Sequence, residues 1–422
     1  MADIIPFRGI LYNPEKVDAS LTTAPPYDIV TPEFKEELYR KDPHNIIRID
    51  FGKDSDSDSE HENRYTRAAA YLSDWLSEGT LIRDPEPSFY SYEINYVING
   101  RYLKTRGFLG AVKLEELGSG KIHPHEMTYS KPKSDRLNIL RYCDANTSPI
   151  YSLYSSREKI TSAILDDLAK TAPFIDAVDG DGFRHRLWRI NDSVSINRII
   201  KEMSDRDIFI ADGHHRYETA LAFQKEMRGK GLIKTGKEPF NYALMFLSNM
   251  EDEGLTLLPT HRIVEINSDI NIKETLKKYF NLEKIGPVET TEEQARQQMF
   301  QAMEGKVHSF GMFLVNTGSY YTLSFNGTAI EIDLPECLKT LDVSVLHKFV
   351  FEDLLKIGHY EYEMDPTIAV NRAKKGPFEA VFFLNSTKIN DLKEVALAGH
   401  RMPPKSTYFY PKLLTGMVMY KF

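Results

Sequence analysis

The segment Asp212-Gly213-His214-His215-Arg216, hereafter the 212–216 turn, combines the residue types that best suit phosphate binding in this sequence. It follows a short apolar run and precedes apolar residues at helical spacing, which predicts a strand, a tight turn and a helix. Amides at a helix N-terminus attract anions, and glycine lets a ligand approach the backbone. Arg216 could bind phosphate oxygens through two N–H groups, and His214 or His215 could donate hydrogen bonds or transfer a proton.

Asp212 needs a separate explanation, because its negative charge would repel a bare phosphate. Its presence favours a bound Mg²⁺ or a hydrogen bond that orients one of the histidines. The structural alternative is that Asp212 caps the helix and the histidines are partly buried. Four polar residues grouped at one strand-to-helix turn favour the functional interpretation.

A second group begins at His123-Pro124-His125-Glu126 and continues with Lys133, Arg136 and Asn146. The histidines and the carboxylate could hold a divalent metal, but the helical H-E-x-x-H arrangement of zinc enzymes is missing. Glu126 or His125 is instead a candidate general base for a hydroxyl group. An exposed charged helix over residues 131–141 explains the same charges equally well.

Three smaller segments complete the candidate site. Thr260-His261-Arg262 follows a strand-like run, and its polar groups are expected at a strand edge beside the phosphate site. The other two segments contribute Tyr27 and Asp28, and Lys405 and Ser406, which together with Asn146 of the second group are the expected substrate-binding residues. Each of these segments is also explained by a rigid turn. The sequence has no P-loop, dinucleotide-binding glycine motif or G-x-S-x-G elbow, so a nucleotide site must be of another kind.

The composition of the 422 residues, with 41% hydrophobic and 27% charged, is that of an ordinary globular protein. A net charge of −8 argues against a broad nucleic-acid surface. The N-terminus has no leader pattern and no apolar run is long enough to span a bilayer, so we expect a cytoplasmic protein without a membrane partner. Cys143 and Cys337 have no CxxC spacing, which argues against a disulfide framework.

Periodicity and turn signals predict the elements that must position these residues. Asn99-Gly100, flanked by aromatic and β-branched runs, predicts a β-hairpin over residues 89–112. Apolar spacing predicts helices and strands in several other ranges. The helices are expected over 65–76, 217–224, 343–355 and 388–397, and the strands over 208–211, 242–247, 310–315 and 320–323.

Several long segments in order resemble a bacterial family known as domain of unknown function ten-fifteen. They are residues 24–28, 124–126, 132–137, 211–217, 259–262 and 404–412. The 212–216 turn also resembles the phosphate-binding turn of the ParB/sulfiredoxin-like fold, which includes the ADP-dependent free serine kinase. That resemblance implies nucleotide phosphates at Gly213, His214, His215 and Arg216, with ADP or ATP as a ligand, and the larger family implies serine or O-phosphoserine as a substrate.

We therefore expect an α+β protein with a ParB/sulfiredoxin-like core. Residues 1–265 are expected to form the phosphate-binding domain, with an inserted hairpin region at about 85–200. Residues 266–422 are expected to form a second α+β domain whose aromatic, proline-rich tail packs back on the body. A homodimer is one expectation for its assembly.

The expected function is phosphoryl transfer to a small hydroxyl metabolite, with serine as the favoured acceptor. The 212–216 turn would hold the phosphates of a phosphorylated substrate, helped by Lys133, Arg136, Thr260, His261 and Arg262. Mg²⁺ bound by Asp212 would neutralise charge, and Glu126, His125 or His214 would handle the proton. A phosphoserine phosphatase and a nonenzymatic nucleotide-binding switch are the alternatives, and a metal-binding protein is a third.

Overall fold

Two β-sheets organise the chain, one in each of two units that Cα packing separates. The structure is a computed structural model that describes residues 3–98, 100–128, 130–267, 269–286, 290–328 and 331–422, and only the backbone of 130–132. Unit 1 comprises Met1–Pro124, Thr128–Thr256 and Pro411–Phe422. Unit 2 comprises His125–Met127 and Leu257–Tyr410.

The sheet of unit 1 has the strand order β6-β11-β8-β12-β5-β4-β10-β9, with β1 paired to β5. Most neighbouring strands are antiparallel, but β11 runs parallel to β6 and β12 runs parallel to β8. Every residue of β12 is buried, as expected for an apolar strand covered on both faces. The strands of unit 1 up to residue 249 are β1 (Ile4–Ile5), β2 (Ile10–Tyr12), β3 (Leu81–Arg83), β4 (Phe89–Ile98), β5 (Arg101–Lys113), β6 (Ile122–His123), β7 (Ala145–Asn146), β8 (Ile150–Tyr154), β9 (Ile175–Val178), β10 (Arg184–Ile190), β11 (Ile208–Asp212) and β12 (Tyr242–Asn249).

Helices of unit 1 pack apolar residues against this sheet. Tyr217, Ala220 and Leu221 recur at helical spacing and join one buried cluster with strand residues such as Ile208 and Met245. The helices are α1 (Ala19–Thr22), α2 (Pro32–Lys41), α3 (Ile47–Asp50), α4 (Arg64–Ser77), α5 (Ser130–Cys143), α6 (Ile160–Leu168), α7 (Ser193–Met203) and α8 (His214–Gly229), with 3₁₀ turns at Tyr27–Ile29 and Pro239–Asn241.

The last segment of unit 1, residues 411–422, is a buried strap, here called the C-terminal strap. Leu414, Val418 and Met419 are at most 4% exposed. The backbone of Thr415 exchanges hydrogen bonds with Ala24, and that of Met419 exchanges them with Ile10. The strap ends in strand β21 (Tyr420–Lys421), which pairs with β7.

Unit 2 is built on a second sheet with the strand order β15-β17-β16-β19-β14-β18. Its strands bury both faces, because Ile263 and Val264 of β14 point into two different apolar clusters. The strands are β13 (Thr256–Leu258), β14 (His261–Glu265), β15 (Phe280–Lys284), β16 (Ser309–Leu314), β17 (Ser319–Phe325), β18 (His359–Glu363), β19 (Ala380–Phe383) and β20 (Tyr408–Tyr410).

The helices of unit 2 include an unusual one. Residues Leu346–Leu355 form a π-helix, a rare geometry that usually occurs as a single turn. The others are α9 (Ile272–Leu276), α10 (Glu292–Met303), α11 (Glu336–Lys339), α12 (Asp342–Val345), α13 (Pro366–Lys375) and α14 (Ile389–Leu397). No helix in the described part of the chain combines the length and the apolar character that crossing a membrane requires.

The predicted α+β class is confirmed, and each helix and strand predicted from periodicity is present within a few residues of the expected range. Asn99 of the predicted hairpin turn lies outside the described residues. One helical prediction needs correction, because residues 343–355 begin as α12 and continue with π geometry.

The division into units differs from the predicted domain boundary at 265/266. Strand β14 belongs to the sheet of unit 2, so that unit already begins at Leu257. His125–Met127 belongs to unit 2, which the boundary did not anticipate. The C-terminal strap belongs to unit 1, in line with the expected packing of the tail on the body. The region expected as an insertion, about 85–200, supplies β4, β5, β8, β9 and β10 of the same sheet as β11.

Two buried histidines make unit 2 sensitive to acid. Burial, with Arg262 adding to it, lowers the pKa of His261 to about 3 and that of His347 to about 2. The unfolded chain protonates both imidazoles below about pH 6.5, whereas the folded chain keeps them neutral. Their contribution to stability is therefore complete above pH 6.5 and is lost as the pH falls toward 3.

We expect the free energy of unfolding to fall by about 1.4 kcal/mol per pH unit for each histidine between pH 6.5 and 4.5. Urea denaturation across this range measures the slope, and His261→Gln should reduce it. The matched control is His400→Gln, at an exposed position, which should leave the slope unchanged. Equal slopes in the two variants would contradict the assignment of the slope to buried histidine.

Candidate functional site

Gly213 joins the end of β11 to the start of α8 in a backbone conformation that suits only glycine. Its φ is 93° and its ψ is 26°, in the left-handed region. A Cβ atom at this position would lie 2.8 Å from Nε of Arg216, closer than such contacts occur. The missing side chain therefore allows both the turn and the packing of Arg216 against it.

Helix α8 presents its N-terminus at this turn. The amide of Tyr217 donates to the carbonyl of Gly213 at 3.0 Å and begins the intrahelical ladder. The amides of the preceding positions have no acceptor within a helix, and the helix dipole adds positive potential there. The N-cap residue is Gly213, one position after the Asp212 of the structural alternative. An anion is the ligand that such a helix start favours.

Asp212 forms an ion network with two cations. Its Oδ2 accepts from Arg216 at 2.8 Å, and its Oδ1 lies 3.0 Å from Nζ of Lys412 in the C-terminal strap. Arg216 also donates to Oγ of Ser148 at 2.7 Å and to the carbonyl of Pro149. The three charged groups carry a net charge of about +1, which offsets the repulsion expected from Asp212 alone.

This network bears on the predicted Mg²⁺ ligand. Both carboxylate oxygens of Asp212 already lie within 3.0 Å of a cationic nitrogen. Across the residues that the structure describes, no three or more His, Cys, Asp or Glu side chains come together to hold a metal. The donor set at this turn fits an ion-paired carboxylate and does not fit a protein-held Mg²⁺.

The two histidines of the turn differ in exposure. His214, the first residue of α8, is 5% exposed, whereas His215 is half-buried. A half-buried imidazole at the first turn of a helix is accessible to a ligand, which favours His215 over His214 for direct contact. Their roles in binding or proton transfer stay predictions.

A small cleft with a cavity volume of about 30 Å³ lies beside α8 in unit 1. It brings together three residues selected from the sequence, Arg136, Asn146 and Arg216. Its remaining lining residues are Asp50, Ile139, Leu140, Ala145, Thr147, Ser148, Ile150 and Thr219. Two guanidinium groups and several hydroxyl groups therefore border one small space with an apolar wall.

Arg136 is buried within an ion cluster of its own. Its guanidinium lies 3.0 Å from Asp50 and 2.5 Å from Asp135, and it stacks 4.0 Å over the ring of Tyr27. Burial opposes the charged form, but the two carboxylates outweigh it and raise the pKa of Arg136. Helix α5 covers the range of the exposed charged helix that was the alternative, and Arg141 in it is 42% exposed. Arg136 differs from that alternative, because it is 5% exposed and lies on the same buried side as Ile139 and Leu140.

The other predicted residues of unit 1 have partners within that unit. Lys133 pairs with Glu218 of α8, which also accepts from Thr128 at 2.7 Å. Oδ1 of Asn146 accepts the amide of Leu244 at 2.7 Å, which ties this residue to β12. Burial raises the pKa of Tyr27 to about 12, and Asp28 beside it is exposed.

The predicted residues of unit 2 are mostly buried. His125 is 0% exposed and its Nε2 lies 2.8 Å from Oγ1 of Thr407, while Glu126 forms a parallel bridge with Met402. Ser406 donates to the carbonyl of Pro403 at 2.6 Å. We keep the proposed roles of His125, Glu126 and Ser406 as predictions.

Thr260, His261 and Arg262 are at most 5% exposed. Arg262 donates to Nε2 of His347 at 3.0 Å and to the carbonyls of Thr260 and Lys405. These contacts use guanidinium donors that the predicted phosphate contact also needs. The phosphate-binding role of the three residues stays a prediction.

Sequence reasoning missed three residues at the turn, Lys412, Ser148 and Glu218. Lys412 lies 200 positions from Asp212, so no local spacing connects them. Ser148 stands in an ordinary loop sequence, and Glu218 looks like one more surface residue of an amphipathic helix. Only the pairing of distant segments brings Lys412 and Ser148 to the site, whereas Glu218 lies on α8 itself.

Comparisons with known proteins give one family and a set of distant structures. A family model described as Protein of unknown function (DUF1015) matches residues 4–344. No curated protein matches the chain. Truncated SbnI from Staphylococcus aureus is 10% identical, with a TM-score of 0.37 over 73% of this chain and 85% of the other. Free serine kinase in complex with AMP is 14% identical, with a TM-score of 0.33 over 70% and 92%. A mutant of that kinase in complex with ADP is 15% identical, with a TM-score of 0.34 over 68% and 84%.

Replacing Gly213 tests the geometry of the turn. We expect Gly213→Ala to cost about 1–2 kcal/mol of stability for the left-handed backbone, and more for the contact with Arg216. Urea denaturation measures the change.

Gly231→Ala is the matched control, since Gly231 has a φ of 70° and a Cβ there would meet nothing within 4 Å. This control should show the backbone cost alone. If the two variants lose equal stability, the close approach of Arg216 to Gly213 contributes nothing.

Proposed function

This chain belongs to the family described as Protein of unknown function (DUF1015), and we propose that it is a phosphoryl-transfer enzyme acting on a small hydroxyl metabolite. One observation carries the proposal. A left-handed glycine leads β11 into the N-terminus of α8 beside a cleft that Arg136 and Arg216 line. A phosphate-binding turn needs this combination of close backbone approach, amide donors and nearby cations.

The proposed binding mode uses groups that are already oriented. Amides of the first turn of α8 would donate to phosphate oxygens, with Gly213 leaving room for the ligand. Arg216 is held by Ser148, Pro149 and Asp212, so little side-chain entropy would be lost when a ligand binds. Fixed donors of this kind stabilise the charge that develops on a phosphoryl group during transfer.

The donor and the acceptor are proposed from the sequence resemblance. ADP or ATP is the proposed phosphoryl donor, because the 212–216 turn resembles a nucleotide-phosphate turn. Serine is the proposed acceptor and O-phosphoserine its product. Glu126 or His125 is the proposed base for the hydroxyl proton, and Glu126→Gln tests that role separately.

Phosphorus NMR of O-phosphoserine incubated with the protein and magnesium, with and without ADP, tests the reaction. Formation of ATP from ADP supports a kinase that uses ATP, and formation of ADP when AMP replaces ADP supports one that uses ADP. Free phosphate without nucleotide dependence contradicts it and indicates a phosphatase. Nucleotide-dependent dimerisation without turnover contradicts any enzyme and indicates a binding switch.

Arg216→Ala should lower the stabilisation that phosphate ligands give to the wild-type chain. A ligand at a hundredfold excess over its Kd stabilises the wild type by about 2.7 kcal/mol, which a thermal-shift assay with ADP or O-phosphoserine detects. Loss of a charge-assisted contact should weaken binding by roughly ten- to a hundredfold.

The control for this assay is Arg184→Ala. Arg184 also belongs to unit 1 and pairs with Asp176, but its side chain is 57% exposed. This pair includes no residue of the 212–216 turn. This variant should keep the ligand response of the wild type. An unchanged response in Arg216→Ala would show that the turn is not where the phosphate binds.

A further inference from the structure

The C-terminal strap brings a lysine to the 212–216 turn. Lys412 is 10% exposed, and its Nζ lies 3.0 Å from Oδ1 of Asp212. Asp212 and Arg216 together are neutral, so Lys412 supplies the net positive charge of the network. This ammonium group adjoins the carboxylate that precedes α8, so its charge acts over a short distance on any anion at the start of that helix.

A chain of hydrogen bonds fixes the backbone two residues after Lys412. The amide of Leu414 donates to the hydroxyl of Tyr92 at 3.2 Å. The hydroxyl of Tyr92 lies 2.7 Å from Nδ1 of His185, and Nε2 of His185 lies 3.0 Å from Asp179. Tyr92 and His185 are both 0% exposed, and the side chain of Asp179 is 17% exposed.

The direction of this chain follows from its first member. An amide is only a donor, so the oxygen of Tyr92 accepts, and its O–H is free to donate to Nδ1 of His185. That assignment leaves Nδ1 without a proton, so Nε2–H donates to the carboxylate of Asp179. Every hydrogen-bonding group in the chain then has a partner, which makes the position of the strap well defined.

We propose that Lys412 is a further cation of the phosphate site beside Arg136 and Arg216, and that Tyr92, His185 and Asp179 are positioning residues that hold it there through the backbone of Leu414. The proposal rests on the proposed function and adds a specific prediction to it: the affinity for phosphate depends on a residue delivered by the C-terminal strap. A lysine side chain loses much conformational entropy when a ligand fixes it. Anchoring the backbone next to Lys412 reduces the entropy that is still to be lost on binding.

The first test compares Lys412→Met with Lys412→Arg in calorimetric titrations of the full chain with ADP and with inorganic pyrophosphate. Methionine keeps the apolar stem and removes the charge. We expect Lys412→Met to weaken binding of both probes by roughly tenfold or more. Lys412→Arg keeps the positive charge and should retain most of the wild-type affinity. Raising the salt concentration should reduce the difference between wild type and Lys412→Met.

The second test concerns the positioning residues. Tyr92→Phe removes the acceptor of the Leu414 amide, and we expect roughly three- to tenfold weaker binding of pyrophosphate. Tyr12→Phe is the matched control, because it also removes a buried hydroxyl of unit 1, which donates to the carbonyl of His44 at 2.6 Å. It should lower the melting temperature without changing the affinity.

A double-mutant cycle separates positioning from general destabilisation. If Tyr92 acts through Lys412, Tyr92→Phe should have no further effect on affinity in the Lys412→Met background. Additive effects would overturn the positioning role. If Tyr92→Phe does not fold, Asp179→Asn at the more exposed end of the chain replaces it in the same cycle.

The outcomes distinguish this proposal from the proposed function. A wild-type chain that binds neither ADP nor pyrophosphate contradicts the phosphate site itself. A wild-type chain that binds them, together with a Lys412→Met variant of equal affinity, contradicts only the role of Lys412. Weaker binding by Lys412→Met with recovery in Lys412→Arg supports the proposal.

Discussion

The carboxylate of Asp212 determines how the candidate site is assembled, because one oxygen holds Arg216 and the other holds Lys412. This single side chain connects the end of a strand, the first turn of a helix and the C-terminal strap. A carboxylate beside a phosphate site looks unfavourable on charge alone. With two cations attached, the carboxylate fixes both of them in place. A lysine and an arginine held in position bind an anion better than two flexible side chains would.

Local sequence was sufficient to predict the helices, the strands and the 212–216 turn. It was insufficient to predict which distant side chains contact the residues of that turn. Gly213 could be predicted because a strand followed directly by a helix requires an unusual backbone conformation. Lys412 could not, because its contact with Asp212 depends on how twelve C-terminal residues are threaded into unit 1. Arg136 shows the same limit: its charge suggested an exposed helix face or a phosphate ligand, whereas Asp50 and Asp135, one distant and one adjacent, bury it as an ion cluster.

Buried polar groups are accommodated in more than one way. Unit 1 buries charged groups and compensates them with opposite charges, as Arg136 and Asp212 illustrate. In unit 2, the buried imidazoles of His261 and His347 stay neutral. His347 lies in the π-helix. The i→i+5 hydrogen bonds of a π-helix persist only where the surrounding packing favours them. Periodicity located this helix but not its geometry, because apolar spacing does not distinguish π from α geometry over ten residues.

The C-terminal strap has a consequence for biosynthesis. Leu257–Tyr410 is translated between the body of unit 1 and the segment that completes its core. At 5–20 residues per second, the ribosome takes on the order of ten seconds to make that stretch. During this interval we expect the apolar surface that Leu414, Val418 and Met419 cover in the folded chain to stay exposed. Chaperones that shield exposed apolar surface are therefore expected to bind the growing polypeptide until residues 411–422 emerge from the exit tunnel.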